Sequence, residues 1–379
     1  MKLVYLDNAA TTKMSKRVIE EMTESFENIY GNPSSTHTLG QKAKAVVENA
    51  RHIVAKNLKV EAKEIVFTSG GAEGNNLVIK GFLKQNKDKG KHIITTKIEH
   101  STVLKTFESL EKQGYDVTYI DVTKDGIIDV EKLKKAVRKD TALVSVMFVN
   151  NETGVIQPIK EIGEFLKEKE IFFHTDAVQA IGKFEIYPKE LRIDALTVSS
   201  HKFYGPKGTG FVFIDKKYNI EKEIFGGSQE RNRRAGTENV NGILGTGVAL
   251  EEVYEKMEVI FEHEKKIQEY LEEKLKNEIE YLKTRDRKEN IKIKILEADL
   301  HEASDVKRVM NNIISGFKGQ LQTIPYKLAP LVIGIDNLGE IQEIITNNIN
   351  SVLLELSEYD RSKFLKNREY VNNDDEEGQ

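Results

Sequence analysis

Short apolar runs alternate with amphipathic stretches along the chain from about residue 60 onward. Each run has the length of a buried strand, and helix-like segments lie between most of them. This rhythm predicts an α/β fold in which helices cover both faces of a mostly parallel sheet, with ligand sites at the carboxyl ends of the strands. The predicted strands are residues 64–69, 92–96, 117–120, 142–149, 171–174, 195–198 and 210–214.

The pattern changes after the last of these strands. Apolar residues recur at helical spacing among many charges from Ala249 to Tyr281, which predicts a long helix. Alternation at 291–295, a helical stretch near 303–315, an apolar run at 328–335 and a helix near 338–358 together predict a second, smaller α/β domain. The predicted division is a large domain at 1–248, a linking helix at 249–282, a small carboxy-terminal domain at 283–370 and an acidic, solvated tail at 371–379.

The composition of the chain excludes several kinds of functional site and partner. With 379 residues, of which 39% are hydrophobic, the chain is long enough to bury a sizeable core. It has no cysteine, which excludes disulfides, thiolate metal sites and a cysteine nucleophile. The net charge of -4 gives no reason to expect a nucleic-acid partner. No apolar run approaches the roughly 18 to 20 residues that span a bilayer, and the first residues lack the apolar core of a signal peptide, so we expect a cytoplasmic protein without membrane attachment.

Two residues at strand ends indicate the chemistry. Lys202 follows an apolar strand and precedes a glycine-rich turn, where desolvation lowers the pKa of an amine and keeps it available for a Schiff base. Asp176 ends another apolar strand, where it can hold a pyridine nitrogen protonated, and nearby Gln179 can donate to a phenolate oxygen. This pair predicts the cofactor pyridoxal 5'-phosphate (PLP). The structural alternative is a surface lysine and a carboxylate that caps a turn.

A phosphate group needs hydrogen-bond donors and positive potential, and one turn can supply them. Gly70, Gly71 and Ala72 lie in a glycine-rich turn before a helix, where backbone N–H groups are free. The turn is a weak signal alone and does not have the G-x-G-x-x-G spacing of a dinucleotide fold. Together with Ser199 and His201, it predicts a phosphate cup.

Several motifs stand in a fixed order along the first two thirds of the chain. They are residues 5–12 (YLDNAATT), 31–35 (GNPSS), 67–73 (FTSGGAE), 99–100 (EH), 150–154 (NNETG), 174–179 (HTDAVQ), 199–202 (SSHK), 226–231 (GGSQER) and 234–239 (RAGTEN). From about residue 4 to about residue 245 the chain thereby resembles the cysteine desulfurases, fold-type I PLP enzymes related to class V aminotransferases. The resemblance implies L-cysteine or a related amino acid as substrate. It also implies sulfur supply for iron–sulfur clusters or thio-modification, and a sulfur-acceptor or scaffold protein as partner.

The resemblance further implies roles for individual residues. His100 would stack on the pyridine ring and move protons, and Asn151 would contact the cofactor or substrate. Asn8 and Ala9 would contact the substrate. Thr237 would reach the phosphate from the partner subunit, which implies a homodimer with shared active sites.

The chain departs from the family in three places. Ala72 stands where the family usually has threonine, so a phosphate-binding hydroxyl is missing. The family's cysteine, which receives sulfur as a persulfide, has no counterpart because the chain contains no cysteine. No arginine aligns with the one that grips the substrate carboxylate; Arg308 and Arg361 are available but have no supporting motif.

Three hypotheses follow from the sequence. The first is a PLP enzyme of desulfurase ancestry whose sulfur transfer is lost or completed by a thiol outside this chain. The second is a non-catalytic PLP-binding partner subunit. The third is a class V aminotransferase or lyase that works without a cysteine. The joint presence of Lys202, Asp176, His100 and Gln179 favours a functional cofactor site.

Overall fold

The computed structural model describes residue 5, residues 7–296 and 337–357, and residues 307, 311, 314, 315, 318, 319, 324, 328, 329, 331, 332, 334 and 335. The strands are β1 (Ile65–Thr68), β2 (His92–Thr96), β3 (Asp116–Ile120), β4 (Thr141–Ser145), β5 (Phe172–Asp176), β6 (Ala195–Ser199) and β7 (Gly210–Ile214). The α-helices are α1 (Lys16–Asn28), α2 (Thr38–Asn57), α3 (Gly71–Gln85), α4 (Ser101–Glu111), α5 (Val130–Ala136), α6 (Ile159–Glu168), α7 (Gln229–Asn232), α8 (Val240–Leu296) and α9 (Leu338–Ser357). Short 3-10 turns are Ala62–Glu64, Lys87–Lys89 and Ser200–Lys202.

The seven strands form one sheet in the order β1-β7-β6-β5-β4-β2-β3. Only β7 runs against its neighbours β1 and β6, and every other pair is parallel. The predicted mostly parallel sheet is therefore confirmed. The strands β1, β2 and β4 to β7 are buried along their whole length, which explains why they appear in the sequence as continuous apolar runs.

Two apolar layers cover the sheet. One face packs against α2, α6 and the first turns of α8, with Val54, Ile162 and Leu250 fully buried. The other face packs against α3 and α4, where the rings of Phe82 and Phe172 stack with centroids 3.8 Å apart. Because both faces are covered, the carboxyl edge of the sheet is the place where polar side chains can meet.

The long helix α8 begins earlier than the predicted start at Ala249. Its first turns contain Gly242, Gly245 and Gly247, which lower helix propensity, so the pattern there is weak. Tertiary packing overrides the propensity: a Cβ on Gly247 would lie 3.1 Å from the Cα of Ala50 in α2. Gly247 therefore lets α8 and α2 approach closely, and α8 extends to Leu296, beyond the predicted end.

After residue 282, every described residue in regular secondary structure is helical. The alternating segment 291–295, which contributed to the prediction of a smaller α/β domain, lies inside α8. Five alternating residues are too few to outweigh the charged helical sequence that precedes them. No strand is found among the described residues after β7, and the smaller α/β domain stays a prediction. The tail at 371–379, Arg308 and Arg361 lie outside the described residues.

The described part of this region has its own apolar cluster. Ile267 and Leu271 of α8 pack with Leu328, Val332 and Ile345. The imidazole of His263 lies 2.9 Å from the carbonyl of Val332. Among the described helices, none combines the length and apolar character that crossing a bilayer requires.

Candidate active site

The carboxyl ends of β1, β2, β4, β5 and β6 border one cavity of about 490 Å³. This is the place where ligands bind in sheets of this kind, and the volume is that of a small-molecule site. Most of the predicted site residues line it: Ala9, Gly71, Ala72, His100, Asn151, Asp176, Gln179, Ser199, His201 and Lys202. Gly70 lines an adjoining cavity of about 430 Å³, which shares several walls with the first.

Lys202 lies at the end of the 3-10 turn that follows β6. Its ammonium donates hydrogen bonds to the carbonyls of Ala9 and, at 2.8 Å, Ala10. Burial lowers the pKa of Lys202, and the charge of nearby Lys183 lowers it further, while Asp7 and Asp176 oppose these effects. The geometry therefore favours an amine that can lose its proton more easily than an exposed lysine.

The amino-terminal segment holds the Lys202 turn in place. Thr12 donates to the carbonyl of His201 from its N–H at 2.8 Å and from its hydroxyl at 2.9 Å. The same hydroxyl accepts from the N–H of Tyr204 at 2.7 Å. The side-chain amide of Gln179 donates to the Ala9 carbonyl at 2.9 Å, so Gln179 also holds this segment in place. The motif at residues 5–12 thus builds one wall of the cavity.

Asp176 is the last residue of β5 and is almost completely buried. Its carboxylate accepts hydrogen bonds from Asn75 at 2.8 Å and from the N–H of Val178 at 3.0 Å. Burial raises the pKa of Asp176, and the two hydrogen bonds and the charges of His100 and Lys202 partly offset the increase. A cation beside this carboxylate would keep it ionised. An ionised carboxylate can then pair with a protonated ring nitrogen.

His100 caps the amino terminus of α4 and lines the cavity. Its Nδ1 accepts from the N–H of Thr102 at 3.3 Å and lies 2.9 Å from the Thr102 hydroxyl. These contacts leave Nε2 as the ring nitrogen available to a ligand. Asn151 follows in a turn organised by Asn150, whose side-chain oxygen accepts from the N–H groups of Glu152 at 3.0 Å and of Thr153.

The phosphate end of the site is formed by the start of α3. Gly70 has a φ of +137°, and a Cβ there would lie 3.2 Å from the Ser199 hydroxyl oxygen. A Cβ on Gly71 would likewise crowd Val178 at 3.2 Å. Absent side chains therefore leave the backbone at the helix N-terminus accessible to an anion. Burial and the charges of nearby lysines lower the pKa of His201 to about 4, so its imidazole is neutral at physiological pH.

Two predicted residues lie away from the main cavity. Asn8 is buried, donates to the carbonyl of Tyr5 at 3.2 Å, and borders a small space behind Lys202. Thr237 borders a separate small pocket with Arg234 and Glu230. In this chain Thr237 therefore does not line the cavity that contains Lys202.

Sequence reasoning missed several residues that support the site. Asn75 is fully buried on the sheet side of α3 and bridges Asp176 and Thr102, with donor distances of 2.8 and 2.9 Å. An asparagine on the apolar face of a helix is the signal that could have identified it. Glu99 was noted only as part of a motif. Its carboxyl is buried and accepts from the Thr96 hydroxyl at 2.7 Å and from the N–H of Met147 at 2.8 Å.

Replacing Glu99 with glutamine should weaken the dependence of stability on pH. Burial raises the pKa of Glu99 from 4.5 to about 8, so the folded state retains a proton that the unfolded state releases. The associated stability is fully present below pH 4.5 and is lost as pH rises through about 8, at up to about 1.4 kcal/mol per pH unit.

Urea unfolding at about pH 6 and about pH 8 measures how much stability the wild type and Glu99→Gln lose over this pH range. The exposed Glu27→Gln variant provides the matched control, since it makes the same chemical change outside the core. We expect the wild type and Glu27→Gln to lose stability alike over this range, and Glu99→Gln to lose less. An equal loss in all three proteins would contradict the assignment.

Comparison with known proteins places the site in a family context. Residues 4–316 match the family model described as Aminotransferase class-V. The chain is 53% identical over 256 residues to cysteine desulfurase IscS of Clostridium botulinum, a match that covers 68% of this chain and 64% of that protein. The chain thus spans less than two thirds of this relative's length.

Two solved structures are also similar to this chain. A NifS-like protein superposes with a TM-score of 0.71 and 42% identity, covering 73% of this chain and 76% of its own. SspA in complex with cysteine superposes with a TM-score of 0.64 and 40% identity, covering 66% of this chain and 72% of its own. The similarity therefore extends over the sheet domain and its cavity.

Proposed function

Because this chain belongs to the class V aminotransferase family, we propose that it binds PLP at Lys202 and acts on L-cysteine or a related amino acid. The observation that carries the proposal is that the Lys202 amine and the buried Asp176 carboxylate line one cavity. The solved relative that contains cysteine supports a small amino acid as substrate.

The residues present fit this cofactor. Asp176 offers a buried negative charge to a protonated ring nitrogen, and Lys202 offers an amine of lowered pKa. Ser199, neutral His201 and the backbone N–H groups of Gly71 and Ala72 offer hydrogen-bond donors to a phosphate, whereas the Gly70 N–H already donates to the Thr68 hydroxyl at 3.3 Å. Bound PLP would supply an electron sink that makes the α-hydrogen of an amino acid acidic.

The chain's own residues would then handle protons and orientation. Lys202 would hold the cofactor covalently, and its Nζ, as a free neutral amine, would take the α-proton of the substrate. Burial and the charge of Lys183 favour the neutral form that this step needs. His100 can exchange a proton at Nε2, because Thr102 occupies its Nδ1. Asp176 would offer its negative charge to the ring nitrogen.

Sulfur transfer, on this proposal, requires a thiol outside the chain. Cysteine plus an external thiol R–SH would give alanine plus the persulfide R–S–SH, so that the sulfur atom leaves the carbon and joins the acceptor sulfur. No cysteine is present in the chain to act as the acceptor. Other side chains such as serine, histidine and methionine do not make a stable persulfide. A sulfur-acceptor or scaffold protein is therefore the partner we propose.

A second candidate function follows from the same absence of cysteine. An aminotransferase or β-elimination reaction needs Lys202 and Asp176 but no thiol, so the lack of cysteine does not exclude it. Alanine production that depends on an added dithiol favours the desulfurase reaction. Pyruvate and sulfide without alanine favour elimination, and a keto acid formed only with an amino acceptor favours transamination.

We expect the purified protein reconstituted with PLP to absorb visible light and Lys202→Ala to lose that band. Reduction with borohydride followed by peptide mass analysis should place the cofactor on Lys202. Lys216→Ala is the control, because Lys216 is an exposed lysine paired with Glu61 away from the cavity. A wild-type protein without a visible band, or a cofactor attached elsewhere, would contradict the proposed site.

We also propose a homodimer with shared sites. Thr237 does not line the cavity of its own chain, which is consistent with delivery to a partner's site. Large apolar side chains are exposed at Phe26, Tyr30 and Phe225, where a second subunit could cover them.

Subunit mixing tests this arrangement. Co-expressed Lys202→Ala and Thr237→Val chains should form heterodimers in which one site has both Lys202 and Thr237 intact and the other has neither. We expect these heterodimers to bind one PLP per dimer with wild-type affinity, whereas Thr237→Val homodimers bind it more weakly. A monomer by light scattering at full PLP occupancy, or weak binding by the heterodimer, would overturn the shared-site proposal.

A further inference from the structure

We propose that Lys207 is the cation that binds the phosphate of the cofactor, in place of the hydroxyl that is missing at Ala72. This inference rests on the proposed PLP site and adds to it a residue outside the predicted site residues. It also explains how the site can bind a phosphate ester although one of its usual side chains is absent.

Lys207 borders the cavity of about 430 Å³ that adjoins the main site. The turn at Gly70, Gly71 and Ala72 borders the same space, together with the hydroxyl of Ser199. Lys207 is also close enough to His201 for its charge to lower the pKa of that imidazole. The cation, the backbone N–H groups of Gly71 and Ala72 and the Ser199 hydroxyl therefore share one space.

The negative charge of a phosphate requires a further cation at this end of the site, and Lys207 supplies it. A phosphate ester carries a charge of about -1.5 to -2 at neutral pH, and a helix N-terminus offsets only about half a unit. His201 is neutral, because its pKa is about 4. Arg234 is committed to Glu73, at 2.9 Å. Lys202 is needed for the covalent bond to the cofactor. Lys207 is exposed, and among the described residues its ammonium has no ion-pair or hydrogen-bond partner.

The turn that carries Lys207 is held firmly at its base. The hydroxyl of Thr209 donates to the carbonyl of Pro206 at 3.2 Å and lies 3.2 Å from the hydroxyl of Ser200. Gly208 has a φ of +73°, a conformation that glycine adopts without strain. The backbone is therefore fixed while the Lys207 side chain is exposed, so the flexible stem can close over a phosphate after the cofactor has entered.

The test compares two ligands that differ only in the phosphate. Equilibrium binding of PLP and of pyridoxal, which lacks the phosphate, is measured by absorbance for wild type, Lys207→Gln and Lys207→Arg. Lys207→Gln should weaken PLP binding by about tenfold and leave pyridoxal binding within about twofold. Lys207→Arg, which keeps the charge, should remain close to wild type. Added salt should weaken PLP binding more in the wild type than in Lys207→Gln.

Two further variants sharpen the result. Lys87→Gln makes the same charge change on an exposed lysine in the turn before the amino end of β2, and it should change neither affinity. Ala72→Thr combined with Lys207→Gln should recover part of the lost PLP affinity, because the hydroxyl supplies another phosphate donor. Equal losses for PLP and pyridoxal, or no loss for PLP, would overturn the role of Lys207. A wild type that binds neither ligand covalently would instead refute the proposed function.

Discussion

Replacing Asp176 with asparagine should slow exchange of the α-hydrogen of L-cysteine by roughly a hundredfold to a thousandfold, while the cofactor stays attached to Lys202. On the proposed function, the buried carboxylate would supply the negative charge that stabilises a protonated ring nitrogen, and an amide cannot supply it. The substitution nearly preserves volume. Asn75 has a buried side-chain oxygen without a partner among the described residues, so its amide can turn to accept from the new asparagine.

Exchange in deuterated water, followed by NMR on substrate and cofactor-loaded protein, measures this step without requiring sulfur transfer. Asp88→Asn is the matched control, because Asp88 is exposed in the turn before β2 and should leave the exchange rate unchanged. Visible absorbance of the unreacted protein reports whether PLP is still bound. Exchange at the wild-type rate in Asp176→Asn would show that this carboxylate does not control the reactivity of the cofactor.

The largest loss of stability is expected from Glu230→Ala. Glu230 is buried and accepts from both terminal nitrogens of Arg51, at 2.7 and 2.8 Å, and from the N–H of Phe67 at 2.8 Å. Its removal leaves the Arg51 charge buried, with hydrogen bonds to Glu48 and the carbonyl of Ile65 and with the Phe67 ring 4.8 Å away as its remaining contacts. Breaking a buried pair in this way costs about 3–5 kcal/mol. The free energy of unfolding in urea should therefore fall by about this amount.

The control for this variant is an exposed pair of the same charge type. Glu108→Ala removes a partner of Lys105 on the surface of α4, where both side chains contact solvent, and should cost less than about 1 kcal/mol. Similar losses in Glu230→Ala and Glu108→Ala would mean that the buried pair contributes no more than a surface pair. Because Phe67 lies in β1, Glu230→Ala should also loosen the strand that leads to the phosphate end of the site.

The sheet was predictable because all its strands except β3 are buried along their whole length. The limits of β2 and β7 agree with the predicted residues 92–96 and 210–214. The run at 142–149 was predicted too long, since β4 ends at Ser145 although the following residues remain apolar. The reason is that Met147 and Val149 line the cavity, so an apolar pattern continues where the strand has ended.

The site was only partly predictable. Residues with a distinctive chemical type at a strand end, such as Lys202 and Asp176, can be found in the sequence because the ends of parallel strands meet at one edge. The supporting contacts depend on pairs far apart in the chain. Asn75 meets Asp176, and Arg51 meets Glu230, only after the sheet has formed. No local pattern encodes such a pairing, because burial and partner are both properties of the folded chain.

The close contact between Gly247 and Ala50 also has a consequence for the position of the reactive amine. Thr246, the neighbour of Gly247, lies with its hydroxyl 2.7 Å from that of Ser200, which begins the turn that ends at Lys202. A side chain at position 247 would push α8 away from α2, and this link would carry the displacement to the turn. The position of the Lys202 amine therefore depends on how closely α8 packs against α2, and one added methyl group at position 247 would change it.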